Sequence, residues 1–207
     1  MSHLTRLSTR FLTWNVNWTG ALKRDMCTDI LEFIDKYNAD IMCLQEVPED
    51  FTIKGYHTLF CVETHAGYVA MFSKVKYPVK FTQITTGGVI ELNDTTTVAG
   101  CHLVPYFNNQ PVRDHQLTNV LIKNSAENAL IFGDFNWNGD ISFPGFSDAG
   151  KNSHADTFDS EYHGDGKSYK AKYDRVISRG NVAVTEYSVC SDVHLSDHYP
   201  ITFTVKL

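Results

Sequence analysis

Ala129-Leu130-Ile131-Phe132 runs straight into Gly133-Asp134-Phe135-Asn136, so an apolar stretch of strand length stops at a carboxylate and an amide. The same grammar recurs on both sides of it. Phe11 to Val16 carries Asn15 and is followed by Asn17; Ile41 to Leu44 is followed by Gln45-Glu46-Val47; Tyr173 to Ile177 contains Asp174-Arg175; and Leu195-Ser196-Asp197-His198 precedes Ile201 to Val205. Tyr68 to Phe72 and Thr97 to Leu103 add two more apolar or alternating runs. Short runs rich in β-branched and aromatic residues, bounded by turn residues, predict strands. The chain is therefore read as strand-dominated, with several strands ending in groups that are costly to bury.

Two segments have a helical period instead. Leu22, Met26, Ile30, Phe33, Ile34 and Tyr37 share one face, as do Leu117, Val120 and Leu121 after Pro111. Gly87-Gly88, Asn93-Asp94, Asn108 to Pro111 and Asn138-Gly139-Asp140 carry turn chemistry, and none grows into a linker. The polar stretch Ser147 to Lys172, rich in Asp, Gly, His and Lys, predicts long surface loops. With 207 residues, 43% hydrophobic and 20% charged, the chain is expected to form a single globular domain over 1–207 and, with no partner signal in view, a monomer.

No apolar run approaches the roughly 20 residues of a bilayer span, so no membrane association is expected. Met1 to Arg10, with Arg6 and Arg10, has no apolar segment or cleavage signal behind its charges. Cys27, Cys43, Cys61, Cys101 and Cys190 fit neither a paired framework nor a C-x-x-C motif. They are read as reduced core fillers of an intracellular protein, cytoplasmic or nuclear. A net charge of −6 means that any contact with a nucleic acid has to be local.

Carboxylates at the ends of apolar strands cost several kcal/mol to desolvate unless a positive group compensates. Oxygen ligands of this kind suit Mg²⁺, with Mn²⁺ as the alternative, rather than zinc. Taken one at a time, Asn15 or Asn136 could cap a turn and Asp174-Arg175 could form a surface ion pair. Five such segments in one chain point to a site for a hard dication.

Thr13-Trp14-Asn15, Leu44-Gln45-Glu46-Val47, His102-Leu103, Arg113-x-x-Gln116-Leu117, Gly133-Asp134-Phe135-Asn136, Asp174-Arg175-Val176-Ile177 and Ser196-Asp197-His198-Tyr199 together resemble the endonuclease/exonuclease/phosphatase superfamily of metal-dependent phosphoesterases. The resemblance spans Thr13 to Pro200. It implies an α/β (α+β) fold, a four-layer αββα sandwich of two mixed β-sheets with helices on the outer faces and the site where strand ends converge. It also implies roles. Glu46 is the direct Mg²⁺ ligand, with Asn15 beside the metal and Asp197 supporting it; Asp134 orients and deprotonates the attacking water; Asn136 offers the phosphate a neutral donor. His198 contacts a phosphoryl oxygen and is held by Asp174, and His102 provides a second phosphate contact.

Three details are similar to the 5′-tyrosyl-DNA phosphodiesterase branch: the Asp174-Arg175-Val176-Ile177 strand, Thr157-Phe158-Asp159-Ser160 ahead of it, and His102-Leu103 with Arg113 and Gln116. Asn17 stands where that branch has Asp, and the Arg that follows its second Asn is missing after Asn136. Lys167, Lys170, Lys172, Arg175 and Arg179, with Tyr169 and Tyr173 among them, form either a solvated face or a place to receive nucleic-acid phosphates and stack a base. Asn17, Phe158, Lys172 and Arg175 are the substrate-binding candidates. Arg113 and Gln116 are read as loop braces, and His154 and His163 as solvated.

The expected activity is Mg²⁺-dependent hydrolysis of a 5′-phosphotyrosyl bond joining a protein or peptide remnant to a nucleic-acid end. A nuclease or a small-molecule phosphatase on the same scaffold is the alternative. A catalytically inactive nucleic-acid-binding module is the alternative of another class; buried carboxylates kept without a metal argue against it.

Overall fold

The computed structural model describes residues 8–77, 80–162 and 169–206. Its strands in chain order are β1 (Ser8–Asn15), β2 (Ile41–Val47), β3 (His57–Glu63), β4 (Tyr68–Ser73), β5 (Lys80–Ile84), β6 (Gly87–Asn93), β7 (Thr96–His102), β8 (Asn128–Asp134), β9 (Phe146–Asp148), β10 (Phe158–Asp159), β11 (Lys170–Ala171), β12 (Asp174–Arg179), β13 (Ala183–Val189) and β14 (Ile201–Lys206). The helices are α1 (Trp18–Lys23), α2 (Cys27–Tyr37) and α3 (Gln110–His115), the last continuing into a more widely wound segment, Gln116–Ile122.

Two six-stranded mixed sheets form, ordered β13-β14-β1-β2-β4-β3 and β5-β6-β7-β8-β12-β9. The parallel pairs β1–β2 and β7–β8 lie at the middle of each sheet. Central strands buried on both faces call for continuous apolar runs, and Ile41 to Leu44 of β2 and Ala129 to Phe132 of β8 supply them. Phe11, Ile41, Met71, Phe132, Val176 and Phe203 fill the gap between the sheets, where Phe11 stacks on Phe203 at 5.2 Å and meets Phe132 edge-on at 5.6 Å.

On the outer face of the first sheet, Leu12, Trp14, Met42 and Leu44 pack with Ile30 and Ile34 of α2. On the outer face of the second, Ile131 and Ile177 pack with Leu117 and Leu121 of the α3 extension. These are the four layers of an αββα sandwich, each fully buried large side chain contributing about 1.5–3 kcal/mol.

Three sequence expectations are corrected. The Leu22–Tyr37 face is not one helix: the chain breaks at Arg24–Met26, where Asp25 takes a positive φ of 57°, and Leu22 ends up 62% exposed. Gly87-Gly88 is not a turn but the start of β6, where a side chain on Gly87 would strike the Gly100 carbonyl oxygen at 2.1 Å. Ser147 to Lys172 holds β9, β10 and β11 as well as loops, and Thr157-Phe158-Asp159-Ser160 is buried. His163, Lys167 and Arg6 lie outside the described residues. No helix among the described residues is long and apolar enough to cross a membrane.

Candidate active site

Strand register gathers the polar groups. His102 of β7 pairs with Asp134 of β8, and Asp134 pairs in turn with Asp174 of β12, so the three form one row across the second sheet. Phe132 and Val176, two residues from Asp134 and Asp174, belong to the core between the sheets. Side chains two apart on a strand share a face, so the row points into that same gap, at the end where its apolar filling gives out. Gly133 lets the chain turn into Asp134: its φ of 139° is open to glycine, and a Cβ there would lie 2.1 Å from the Cys101 carbonyl oxygen.

Asn15 reaches the gap from the first sheet by the same alternation, but Glu46 should not, because it shares parity with Met42 and Leu44 on the helix side. A bulge corrects this. The pairing of β2 with β4 skips between Leu44 and Val47, and Glu46 takes a φ of 58°. An extra residue in a bulge re-aims a side chain at some backbone cost. Glu46 Oε1 thereby comes to 2.9 Å from Asn15 Nδ2.

Asp134 Oδ2 is the meeting point. It accepts from Asn15 Nδ2 at 3.1 Å, lies 3.3 Å from His102 Nε2 and is 3.7 Å from His198 Nε2. Its other oxygen accepts from the Asn136 backbone N–H at 2.8 Å. His198 Nδ1 lies 2.8 Å from Asp174 Oδ2, and the His198 carbonyl oxygen accepts from Trp14 Nε1 at 2.9 Å.

Burial works against charge on His198, but Asp174, Asp134 and the bond to Asp174 carry its pKa well above the usual imidazole value. Burial pushes Asp174 up to about 6, against the pull of His198. We read the pair as imidazolium and carboxylate. His102 is driven the other way: burial lowers its pKa and outweighs Asp134, so it stays neutral. Glu46 is raised, first by burial and then by the charges of Asp134 and Asp197, while the Asn15 bond and His198 oppose the shift.

The donor set fits a hard dication at Glu46, which is a desolvated carboxylate facing two like charges, an arrangement that a bound cation would relieve. Asp134, Asp174 and His198 also bring possible ligand atoms within 4.8 Å of one another. A protonated imidazole with a carboxylate at each nitrogen has no lone pair to give, so the Glu46 side is the better metal position. Asn15 does not face a cation as expected: its Oδ1 accepts from Asn17 N at 3.0 Å, which turns its Nδ2 toward Glu46 and Asp134. It is a donor to the carboxylates.

The remaining candidates separate. Asn136, at a φ of 49°, spends one amide N–H on the Leu103 carbonyl at 2.9 Å. Asn17 caps α1 by accepting from Gly20 N at 3.1 Å and donates to Asp197 Oδ1 at 3.1 Å, so it is placed as a brace and not as a substrate contact. Ser196 Oγ donates to the Asn15 carbonyl at 2.8 Å, fastening the Asp197 segment to β1.

Phe158 is buried and packs on His198 at 4.9 Å and on Tyr169 and Tyr173 at 5.3 Å each, leaving Tyr169, 47% exposed, as the outer ring of this wall. Thr157 Oγ1 accepts from Asp174 N at 2.8 Å, and Asp159 N donates to the Asp197 carbonyl at 2.8 Å.

Lys172 and Arg175 do not reach the gap. Lys172 Nζ is held by the Gly150 and Ser153 carbonyls. Arg175, only 3% exposed, lies on the opposite side of β12 from Asp174 and spends its donors on Asp148 and the carbonyls of Lys172, Trp137 and Gly139. Lys170 pairs with Asp159 and Arg179 with the Ser125 and Ala126 carbonyls. The described part of the basic run therefore fastens loops. Arg113 and Gln116 brace the chain after β7 through Val104 and Tyr106, and His154 is exposed elsewhere.

Sequence reasoning overlooked His65, in the β3–β4 turn, whose ring lies 4.3 Å from that of His102. Its only sequence signal is a turn glycine, Gly67, two residues on.

Residues 12–198 match the Endonuclease/Exonuclease/phosphatase family. The chain belongs to that family. Among solved structures, D. rerio TDP2 complexed with a single-strand DNA product aligns with a TM-score of 0.74 at 19% identity, covering 97% of this chain and 99% of that one. The human Nocturnin catalytic domain with bound sulfate aligns at 0.67 and 18% identity, covering 98% and 94%. A Bacteroides thetaiotaomicron mannosyl-6-phosphatase aligns at 0.68 and 15% identity, covering 96% and 100%. No curated protein matches the sequence. Family members are phosphoric-ester hydrolases that depend on divalent metals, so the chain carries a hydrolase fold around the site described above.

Proposed function

We propose that the protein is a Mg²⁺-dependent phosphodiesterase that hydrolyses a 5′-phosphotyrosyl bond between a nucleic-acid end and a protein or peptide remnant. The observation that carries this reading is the gathering of Glu46, Asp134, His102 and His198 at one opening, with the Phe158–Tyr169–Tyr173 wall against His198. Glu46, with Asp197 in support, would hold a hard dication, which when bound would neutralise charge on the phosphoryl oxygens.

The chain's own groups do the rest. Imidazolium His198, kept charged by Asp174, meets a phosphoryl oxygen as negative charge develops. Neutral His102 donates from the other side. Asp134, oriented by Asn15 and by the Asn136 backbone, positions a water and takes its proton. The second N–H of the Asn136 side chain is left for the phosphate. Tyr169 offers its exposed ring to a base or to the departing tyrosine. The DNA product held by the D. rerio neighbour supports a nucleic-acid ligand.

The test is purified protein with Mg²⁺ and two substrates, a 5′-tyrosyl oligonucleotide and an abasic duplex. Release of tyrosine with a free 5′-phosphate is expected, and cleavage of the abasic strand alone refutes the assignment.

One observation favours a second reading, a hydrolase of small phosphoesters. Lys170, Lys172, Arg175 and Arg179 are committed to internal partners, and the chain carries a net charge of −6, so the described part of this basic run is not free to follow a polyanion. Inorganic phosphate released from sugar or inositol phosphates, with no action on the oligonucleotide, would decide for it.

A further inference from the structure

Resting on the diesterase reading, we propose that His65 is a specificity residue that receives the second ester arm of the substrate, the one on the far side of the phosphate from the Phe158 wall. The site is two-sided about Asp134: His198 and His102 approach the same oxygen, at 3.7 and 3.3 Å. Each imidazole has a second ring against it. Phe158 meets His198 at 4.9 Å with the planes at 69°, and His65 meets His102 at 4.3 Å with the planes at 60°. A diester carries two substituents that leave the phosphorus in different directions. The Phe158 side provides a ring surface for one, and on the His102 side the ring set edge-on against the imidazole is that of His65.

The backbone holds His65 there. Thr64 donates from N and from Oγ1 to the Gly67 carbonyl, at 2.8 and 3.1 Å, closing a tight turn at the end of the β3–β4 hairpin. Gly67 lies against the backbone of the Glu46 bulge, where an added Cβ would come 3.2 Å from the Val47 carbonyl oxygen and 3.5 Å from Glu46 Cα. The bulge that aims Glu46 into the gap is thus the surface on which the His65 turn rests. His65 is exposed while His102 is buried, so the pair runs from the reacting centre to solvent. Its surroundings keep His65 uncharged, chiefly through burial of part of the ring and the neighbouring His102, which lower its pKa to about 4. A neutral ring stacks on an aromatic arm and adds no charge beside the phosphate.

The experiment compares two diesters with the same leaving group, bis(4-nitrophenyl) phosphate and methyl 4-nitrophenyl phosphate, in wild type, His65→Ala and His65→Phe, with kcat and KM measured separately. Wild type should prefer the aryl diester. His65→Ala should lower the aryl-over-methyl ratio of kcat/KM about fivefold to tenfold, mainly through KM for the aryl diester, and His65→Phe should restore the ratio because it restores the ring. An unchanged ratio in His65→Ala, or a ratio in His65→Phe as low as in His65→Ala, overturns the inference. A wild-type enzyme that cleaves neither diester overturns the diesterase reading itself, and this inference with it.

Discussion

Gly100→Ala probes how closely the two sheets approach behind the site. Gly100 sits on β7 two residues before His102, and a Cβ built on it would lie 2.3 Å from Cys43 Sγ on the facing sheet, 3.0 Å from Met71 Cε and 3.3 Å from Cys43 Cβ. Met71 can move its flexible end, but Cys43 is fully buried with its sulfur held near Gln45 Nε2 at 3.3 Å, so the strands must part. Overpacking a core by one methyl costs about 1–3 kcal/mol. Replacing glycine within a strand returns about 0.5–1 kcal/mol, and an approach of 2.3 Å to a buried sulfur puts the overpacking cost in the upper half of its range, leaving a net loss of about 1–2.5 kcal/mol.

Cys43→Ala alone should cost about 1 kcal/mol for a lost methylene-sized group. In the double variant the new methyl occupies the space the sulfur left, so its total loss should be below that of Gly100→Ala, a favourable coupling of about 1–2 kcal/mol. Urea unfolding followed by far-ultraviolet circular dichroism measures the cycle. Turnover should fall in Gly100→Ala and recover in the double variant, because β7 carries His102 and β2 carries Glu46. Single losses that add to within about 0.5 kcal/mol would show that the sheets do not meet as described.

Glu46→Gln should cut turnover by orders of magnitude and leave the unfolding midpoint nearly unchanged or raised, since it removes a desolvated charge; activity near wild type would place the metal elsewhere. Asp174→Asn keeps the size of the group at His198 but removes its charge, and should lower kcat about 10²- to 10⁴-fold with a smaller change in KM; steady-state kinetics with a nitrophenyl diester would read this directly. Burial pushes the Cys43 thiol up to about 12 from 9.0. The unfolded chain therefore gives up that proton first, so the stabilisation is complete below pH 9.0 and is lost as pH rises toward 12. Urea midpoints from pH 8 to 11 should decline, and Cys43→Ala should flatten the decline by up to about 1.4 kcal/mol per pH unit above 9.

The strands were legible because hydrophobic burial on both faces demands uninterrupted apolar runs, and the site was legible because Asn15, Glu46, Asp134, Asp174 and His198 interrupt them with groups too costly to bury idly. What escaped depends on partners rather than on residue type. A run of lysines and arginines shows charge but not that carbonyls 20 or more residues away absorb it, as Lys172 is held by Gly150 and Arg175 by Trp137. Alternation on a strand places Glu46 on the wrong face, and only the bulge reverses it. Apolar period alone put Leu22 on the α2 face, because period does not register the left-handed residue at Asp25. His65 acquires meaning only once a hairpin turn brings it to His102.

Two strands and a loop send their donors to one carboxyl oxygen, Asp134 Oδ2. A junction of this kind behaves as a keystone: whichever neighbour is withdrawn first unsettles the stone, and taking away a second finds it already loose. Damage from combined changes at Asn15, His102 and His198 should therefore saturate instead of multiplying, so the order in which a lineage lost them would leave little trace in its remaining activity.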